Sequence, residues 1–374
     1  MRFWRLLPIY GGLVLFGVGW TAGARAAETV YTVGGVDVDV TADTVAQARE
    51  RAIAQGHLKA LSALFDRLVL EEDRSRAPDL STQEIEGLVL GFSVADERTS
   101  DVRYLAELTF RFKPQAARAL LVQRGLRFAE TQSKPWLVLP LARVDGTTLL
   151  WEEGNAWREI WQERRGVGEL VPLLAPVGDL ADIAAIDAGR AATGDAAALA
   201  ALAGRYGTER VLLTTAELAG DPDAGTASLA VTDTWLVEGQ LVPRGTNSFR
   251  QQEGETLAQL QDRAAQASAD ALASDWRRRN VIEFGVRGVI RASVPIASFA
   301  EWLSIRERLA RVPLVESATV ESLELTKAEL SINYFGGEQQ LTTALAQHNL
   351  LLRRRLPGGW ELLPGPATGS QASQ

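Results

Sequence analysis

Segments with strand periodicity alternate with segments of helical periodicity along most of the chain, and this alternation limits what it can fold into. In the first strand segment, apolar residues at Val36, Val38 and Val40 alternate with acidic ones. From Val45 to Leu70, apolar and alanine residues recur at helical spacing, which predicts a long amphipathic helix. Such strands and helices each bury one face against a neighbour, so the pattern predicts helices layered on sheets.

The order of these segments predicts three small domains of mixed α/β and α+β type. Residues 28–130 are expected to form a β-α-(α)-β-β-α domain. Residues 134–280 are expected to form a central α/β domain that opens with the apolar strand Trp136–Leu141, has a further strand at 169–174 and ends with a helix at Thr256–Arg279. Residues 284–363 are expected to have the order β-α-β-β-α-β, with a last strand at 350–362 that is broken by Pro357-Gly358-Gly359. This order is that of the ferredoxin-like arrangement.

The two ends of the chain are predicted to lie outside these domains. Residues 1–26 have the three parts of a secretory signal: positive charges at Arg2 and Arg5, an apolar stretch from Leu6 to Trp20, and a tail of small residues. Residues 364–374 are rich in Gly, Pro, Ser and Gln and are expected to be a disordered tail.

Export into the periplasm through a cleaved signal peptide is the expected route. Ala24 and Ala26 occupy the two positions before the cut where signal peptidase accepts only small side chains, so the mature chain is expected to begin at Ala27. The alternative is an uncleaved anchor, but the apolar stretch is shorter than the ~20 residues of a spanning helix and is interrupted by Pro8 and by glycines. No stable membrane insertion of the mature chain is expected.

The charge of the mature chain argues against nucleic acid as a partner. Removal of residues 1–26 takes away three arginines and no acids, which leaves 36 basic and 47 acidic residues and a formal charge of −11. A surface of this sign repels phosphate backbones and bare anionic lipid surfaces.

Cysteine is absent, which excludes thiol catalysis, disulfides, thiolate metal sites and a lipid anchor on an N-terminal cysteine. The two histidines, His57 and His348, fall in different predicted domains, and neither has a second ligand at helical spacing. We expect surface or helix-terminal histidines, no bound metal and no cofactor.

Two pairs of carboxylates could in principle bind a cation or share a proton. Asp37 and Asp39 project from one face of the first strand, and Asp221 and Asp223 lie in the segment GDPDAG. The first pair is better explained as the solvated side of an antiparallel sheet and the second as a turn. No catalytic residue is therefore predicted, and the chain is expected not to be an enzyme, although carboxylate-based glycoside hydrolysis stays an open alternative.

Three tryptophans are the best candidates for a binding surface in the central domain. Trp157 and Trp161 lie four residues apart on one face of a predicted helix, and Trp151 precedes it. Aromatic side chains in such an arrangement can stack on a sugar or a partner protein, but more commonly they pack a helix onto its sheet. The sequence alone does not distinguish a binding role of these tryptophans from a packing role.

Three patterned stretches cover much of the mature chain: VDVDVTADTVAQARERAIAQGHLKALSALFDRLV, YLAELTFRFKPQAARALLVQRGLRFAETQSKPWLVLPL and YFGGEQQLTTALAQHNLLLRRRLPGGWEL. Together they resemble the uncharacterised proteobacterial family known as domain of unknown function twenty sixty-six. The first domain also resembles the N-terminal module of flagellar assembly protein T, and AALAALAGRYGTERVLLTTAEL resembles the α/β fold of the TolB N-terminal domain and of curli-type secretion lipoproteins. These resemblances imply envelope assembly or scaffolding and supply no catalytic residue.

The sequence therefore favours a soluble periplasmic scaffold or assembly module that binds other, unidentified envelope proteins. The alternative is a periplasmic small-molecule or glycan-binding protein with its ligand beside Trp151, Trp157 and Trp161. A partner-binding protein should expose a contiguous apolar patch, whereas a ligand binder should contain a deep pocket.

The signal segment generates a first prediction. Because only small side chains are accepted before the cut, Ala26→Phe should block processing, so that the chain keeps its 26 N-terminal residues. Intact-mass spectrometry of the exported wild type and variant measures this difference. Ala27→Phe, which lies after the cut, is the matched control, and loss of processing in both variants to the same extent would contradict the assignment.

Overall fold

The structure is a computed structural model that describes residues 30–164, 166–282, 287–355 and 358–365. The predicted signal segment, its cleavage residues Ala24 and Ala26, and residues 366–374 of the predicted tail lie outside these ranges. Within them the chain is mixed α/β, with three sheets flanked by helices. We call the parts built on the first, second and third sheet the N-terminal, middle and C-terminal units.

The N-terminal unit is a three-stranded antiparallel sheet of order β1-β3-β2 with helices on one side. Its elements have the predicted order of a strand, a long helix, a short helix, a hairpin and a last helix, with a 3-10 helix that was not predicted after the long helix. They are β1 (Thr32–Thr41), α1 (Val45–Leu68), a 3-10 helix (Glu71–Arg76), α2 (Thr82–Leu88), β2 (Val89–Thr99), β3 (Arg103–Phe112) and α3 (Pro114–Gln123).

Helix α1 begins and packs as its sequence predicts. The Thr44 side chain accepts a hydrogen bond from the Gln47 backbone N–H, which caps the first turn. The alanines Ala48, Ala52 and Ala60 on its inner face are fully buried, so the helix lies close to the sheet. On β1, Val36 and Val38 face this core, while Asp37 and Asp39 are exposed on the other side.

The middle unit is a mixed six-stranded sheet whose centre is the parallel pair β4 and β7. The main path has the order β5-β4-β7-β8-β9, and β6 pairs with β4. Its strands are β4 (Trp136–Val144), β5 (Thr147–Leu149), β6 (Leu173–Leu174), β7 (Val211–Ala219), β8 (Ser228–Val237) and β9 (Gln240–Arg250). Its helices are α4 (Ala156–Glu163), α5 (Leu180–Ala185), α6 (Ala188–Ala192), α7 (Ala196–Arg205) and α8 (Leu257–Arg279).

The sequence pattern did not predict two short helices of this unit, and it overestimated one strand. The predicted strand at 169–174 is reduced to the two residues of β6, and α5 and α6 follow it. Asp179 and Asp187 cap these helices through side chains that accept backbone N–H bonds. Helices of six and five residues are too short to show a helical period in the sequence.

The C-terminal unit is a five-stranded sheet of order β11-β12-β10-β14-β13. Two helices connect its strands. The elements are β10 (Arg287–Pro295), α9 (Phe299–Ala310), β11 (Val315–Leu323), β12 (Lys327–Phe335), α10 (Glu338–Gln347), β13 (Leu350–Arg354) and β14 (Trp360–Pro364).

The predicted last strand at 350–362 was correctly placed but its break was misinterpreted, because the chain reverses there and the segment is an antiparallel hairpin of β13 and β14. The returning strand β14 pairs in parallel with β10. The Arg355 N–H donates to the Gly359 carbonyl at 3.0 Å, and Gly359 has a φ of 112°, so the glycine allows the chain to reverse. Pro364, predicted to begin the disordered tail, is the last residue of β14.

The three units share buried contacts, and one cluster of buried apolar residues extends through all of them. The Trp276 indole of α8 donates to the Thr131 carbonyl at 2.6 Å. The Ile282 N–H donates to the Phe128 carbonyl at 2.9 Å, and the Lys134 N–H donates to the Gln347 side-chain oxygen at 2.6 Å. Their relative positions are therefore determined by packing as well as by the connecting chain.

Among the helices in the described ranges, none is long and apolar enough to cross a membrane.

The close approach of α1 to its sheet generates a second prediction. A Cβ atom at Gly56 would lie 2.7 Å from Cδ1 of Leu108 and 3.1 Å from Cζ of Phe110, so Gly56→Ala should lower the free energy of unfolding by about 1–3 kcal/mol. Gly87 of α2 has no atom within 4 Å of the same position, so Gly87→Ala should raise it by about 0.5–1 kcal/mol through helix propensity. Urea denaturation measures both, and stabilisation by Gly56→Ala would contradict the packing.

Candidate functional site

The three tryptophans predicted to form a binding surface do not share one environment. Trp157 and Trp161 on α4 are only 1% and 3% exposed. Their rings form a T-shaped pair with centroids 5.8 Å apart, in the layer between the helix and the sheet. Although Trp161 contributes to the wall of a small cavity of about 240 Å³, neither indole presents a free face on which a sugar could stack. They pack α4 onto its sheet, the commoner of the two roles considered.

Trp151 lies apart from this pair and is only half-buried. Its indole donates to the Ile186 carbonyl at 2.7 Å, which holds the ring in the gap beside α5. A Cβ atom built on Gly178 would lie 3.2 Å from Cε3 of Trp151, so the chain entering α5 passes directly over the ring. Of the three predicted binding residues, Trp151 alone borders an exposed apolar surface.

This surface consists of Trp151, Val177, Leu180 and Ile183, and we call it the α5 surface. Val177, Leu180 and Ile183 are 69%, 85% and 45% exposed. Leu180 and Ile183 lie three residues apart and therefore share one face of the short helix. Single exposed apolar residues are common in proteins, whereas several exposed apolar residues close together in the chain make this surface a candidate interaction site.

A polar network beneath the α5 surface holds the helix in place. The Asp182 carboxylate, fully buried on the inner side of α5, accepts hydrogen bonds from the Tyr206 hydroxyl at 2.6 Å and the Gly178 N–H at 3.0 Å. Nε of Arg205 donates to the same carboxylate at 3.0 Å. The Tyr206 hydroxyl in turn accepts from the Val177 N–H at 2.9 Å, so the network reaches an exposed residue of the surface.

The network changes the pKa of two of its members in opposite directions. Burial raises the pKa of Asp182, but the hydrogen bonds from Tyr206, Gly178 and Arg205 outweigh it and lower the pKa below its usual value. Burial and the hydrogen bond to the Asp182 carboxylate raise the pKa of Tyr206 to about 12. At neutral pH the carboxylate is therefore ionised and the phenol is protonated, which is the state that keeps this hydrogen bond.

The histidines agree only in part with the prediction of surface or helix-terminal positions. His348 is the C-cap of α10, where burial and the nearby Arg311 lower its pKa. The prediction was wrong for His57, which is 4% exposed with its ring centroid 4.8 Å from that of Phe110. Its Nδ1 lies 2.9 Å from the Ile53 carbonyl, so the polar edge is satisfied by its own helix.

The carboxylate pairs occupy the settings predicted for them. The Asp39 carboxylate accepts two hydrogen bonds from Arg103 on the exposed face of the first sheet, at 2.8 and 2.6 Å. Asp221 accepts from the Asp223 N–H at 2.9 Å and thereby closes a turn. Across the described ranges, no group of three or more histidine, aspartate or glutamate side chains is arranged to hold a metal ion.

A second concave feature lies between the N-terminal and middle units. This cleft of about 810 Å³ is bounded by α1, the 3-10 helix, the segment after α4, and α8. Its lining contains six arginines: Arg67, Arg74, Arg164, Arg244, Arg277 and Arg278. We call it the arginine cleft. The sequence pattern did not predict the arginine cleft, because its arginines come from five separate segments of the chain.

Comparison with known proteins adds no assignment. No protein-family model matches the chain, and no curated protein matches it at a significant level.

The buried carboxylate generates a third prediction. Asp182→Asn should lower the free energy of unfolding at pH 7 by roughly 1–3 kcal/mol, because the amide cannot accept from all three donors. Asp223→Asn, which changes an exposed carboxylate in a turn of the same unit, is the control and should have almost no effect. Urea denaturation at pH 7 measures both changes.

The same variant has a predictable pH dependence. Because the folded-state pKa of Asp182 is lowered, its contribution to stability is complete above the unfolded pKa of about 4 and is lost as the pH falls through the folded pKa. The difference between wild type and Asp182→Asn should therefore shrink below about pH 4. A difference that stays constant from neutral to acidic pH would show that the carboxylate charge is not the stabilising feature.

Proposed function

We propose that this chain is an exported protein of a bacterial-type cell envelope that acts in the periplasm as a non-catalytic scaffold or assembly module. In this proposal the α5 surface binds another envelope protein. The observation that carries the proposal is the exposure of Leu180, whose side chain is 85% exposed. Its neighbours Val177 and Ile183 are also apolar and exposed. Leaving such a group in water is unfavourable, and burial against a partner removes the cost.

The rigidity of the surface supports the same proposal. Asp182, Tyr206 and Arg205 hold α5 from beneath, and the Tyr206 hydroxyl binds the backbone of Val177. A surface that is ordered before it meets its partner loses less conformational entropy on binding. The short helix is therefore suited to inserting Leu180 and Ile183 into an apolar groove of the partner.

Export and the family resemblance support the location. The first 26 residues have the composition of a secretory signal, and the absence of cysteine requires the exported chain to be stabilised by its own cores. The resemblance to the family of domain twenty sixty-six, and the weaker ones to envelope assembly proteins, favour a role in assembly. The sheet order β11-β12-β10 is that of the first three strands of a ferredoxin-like arrangement, but the place of its antiparallel fourth strand is taken by β14, which runs parallel to β10.

The alternative, a glycan or small molecule stacked on Trp151, Trp157 and Trp161, receives less support. It would require the indoles of Trp157 and Trp161 to leave the layer between α4 and the sheet, where they are 1% and 3% exposed. Trp151 alone offers a partly open ring, and a single half-buried indole is better explained as part of the apolar α5 surface.

The fourth prediction tests the α5 surface directly. Tagged wild type, Leu180→Asp and the control Leu325→Asp are each recovered from chemically crosslinked periplasm, and the retained proteins are quantified by mass spectrometry. Leu325 lies in the turn before β12 and is 96% exposed, so both variants place a charge at an exposed leucine. A partner of the α5 surface should be retained by wild type and Leu325→Asp and lost, about tenfold or more, from Leu180→Asp, because burying an unpaired carboxylate is costly.

Three other results would contradict the proposal. If Leu180→Asp retains the same proteins in the same amounts as wild type, the α5 surface is not the binding site. If both variants lose the same protein, the added charge acts without regard to position. Recovery of the wild-type chain in the cytoplasmic fraction would reject the proposed location.

A further inference from the structure

The arginine cleft carries an excess of positive charge in a chain that is acidic as a whole. Six arginines line it together with four carboxylates, from Asp66, Glu71, Glu169 and Asp270. The complete chain has a formal charge of −8, so a cleft in which arginines outnumber carboxylates is a local reversal of sign. Clefts with low-dielectric walls concentrate such a field and attract counter-ions of matching size.

Three of the arginines are paired with carboxylates. Arg164 lies 3.1 Å from a Glu169 oxygen, and Arg74 lies 3.6 Å from an Asp66 oxygen. Arg244 lies 3.7 Å from an oxygen of Asp275, which is not among the residues that line the cleft. The excess charge must therefore come from the remaining three: Arg67, Arg277 and Arg278.

Arg67 and Arg277 are held by neutral backbone carbonyls. Arg67 donates to the carbonyls of Val30, Thr32 and Val167 at 3.0, 2.6 and 2.9 Å. Arg277, which is 4% exposed, donates to the carbonyls of Asp66 and Arg67, both at 3.1 Å. Within the described part of the chain neither forms an ion pair with a carboxylate. Carbonyls orient a guanidinium group but do not cancel its charge.

The donors of Arg277 are not all used. Its buried Nε has no hydrogen-bond partner among the described residues, and the buried Nε of Arg164 has none either. A buried donor without a partner is unfavourable, and an oxyanion could supply the missing acceptor only if side chains lining the cleft shift, because both Nε atoms are shielded from solvent in this structure. Burial lowers the pKa of Arg277 and lowers that of Arg67 to about 10, although nearby carboxylates oppose both shifts.

The positions of the unpaired acids favour an anion in the depth of the cleft. Glu71 and Asp270 are exposed, whereas the guanidinium of Arg277 is buried. Where α8 faces the cleft its residues include Ala267, Ala271 and Ala273, and these small side chains leave the space open. A volume of about 810 Å³ is within the range of sites for small organic ligands.

We propose that the arginine cleft binds a small anion that carries phosphate or carboxylate groups, held between guanidinium groups of the N-terminal and middle units. The acidic remainder of the surface repels large polyanions, so the ligand is a small molecule or the headgroup of a lipid. The site is separate from the α5 surface and does not depend on the function proposed above.

The test uses isothermal titration calorimetry of the mature chain with inorganic pyrophosphate, and with glucose as the uncharged control. Arg278→Gln and Arg279→Gln remove the same charge from adjacent positions of α8, but only Arg278 lines the cleft. Pyrophosphate should bind the wild type, and Arg278→Gln should weaken its binding about fivefold, because one charge-assisted contact at the rim is lost. Arg279→Gln should change it less than twofold, because its charge is exposed and screened.

Arg277→Gln should weaken pyrophosphate binding at least tenfold, since this guanidinium is buried. If circular dichroism shows that Arg277→Gln does not fold, the proposal is tested by the comparison of Arg278→Gln with Arg279→Gln alone. Equal weakening by Arg278→Gln and Arg279→Gln would overturn the proposal, and so would the absence of pyrophosphate binding at about 5 mM.

A further pair of probes distinguishes the two sources of the anion. Glycerol phosphate and a soluble short-chain phosphatidic acid carry the same headgroup, and only the second has acyl chains. Tighter binding of the lipid identifies a headgroup site, whereas equal binding identifies a site for a free anion. Because Leu180→Asp leaves the cleft intact, failure of this proposal and failure of the α5 surface are separate results.

Discussion

The last turn of α8 joins the N-terminal and middle units through two adjacent side chains. Trp276 donates to the Thr131 carbonyl in a buried position, and Arg277 donates to the Asp66 and Arg67 carbonyls near the end of α1. Carbonyls in the last turn of a helix have no partner within the helix. Arg277 satisfies the Arg67 carbonyl, and it shares the Asp66 carbonyl with Arg74. The relative position of α1 and α8, and with it the arginine cleft, depends on these bonds.

The α5 surface depends on a different polar core. Asp182 lies within α5 and its partners Arg205 and Tyr206 lie at the end of α7, so the carboxylate ties two short helices together. Neither helix could be stable alone at six or ten residues, and tertiary contacts must supply the difference. One buried group therefore explains why apolar residues can be presented on an element as short as α5.

Much of the element order could be predicted from the sequence. The N-terminal unit has the predicted order of strands and helices apart from its 3-10 helix, and α8 lies where the helix at Thr256–Arg279 was predicted, with Thr256 as its cap. These elements are long, and their apolar residues repeat over several turns or pleats. The hairpin of β13 and β14 was missed because a strand broken by a turn and two paired strands have the same alternation.

The candidate sites were less predictable. Trp157 and Trp161 were correctly placed together on one helix, but the pattern could not decide whether that face was covered, and the sheet covers it. Asp182 and Tyr206 are 24 residues apart, and Arg277 binds a carbonyl 211 residues away. No local pattern marks such pairs, since a chain of this length offers many arginines and aspartates that could be combined.

The sequence by itself determined where the long helices and most strands lie, which residues cap the helix starts, and that the chain is acidic and without cysteine, because these properties arise within one or two turns or from composition. The tertiary structure alone decided that α5 exposes Leu180, that β14 rather than β13 lies beside β10, and that six arginines from distant segments line one cleft. The physical reason is that burial and charge depend on which surfaces meet, and that choice is made by the packing of the complete chain.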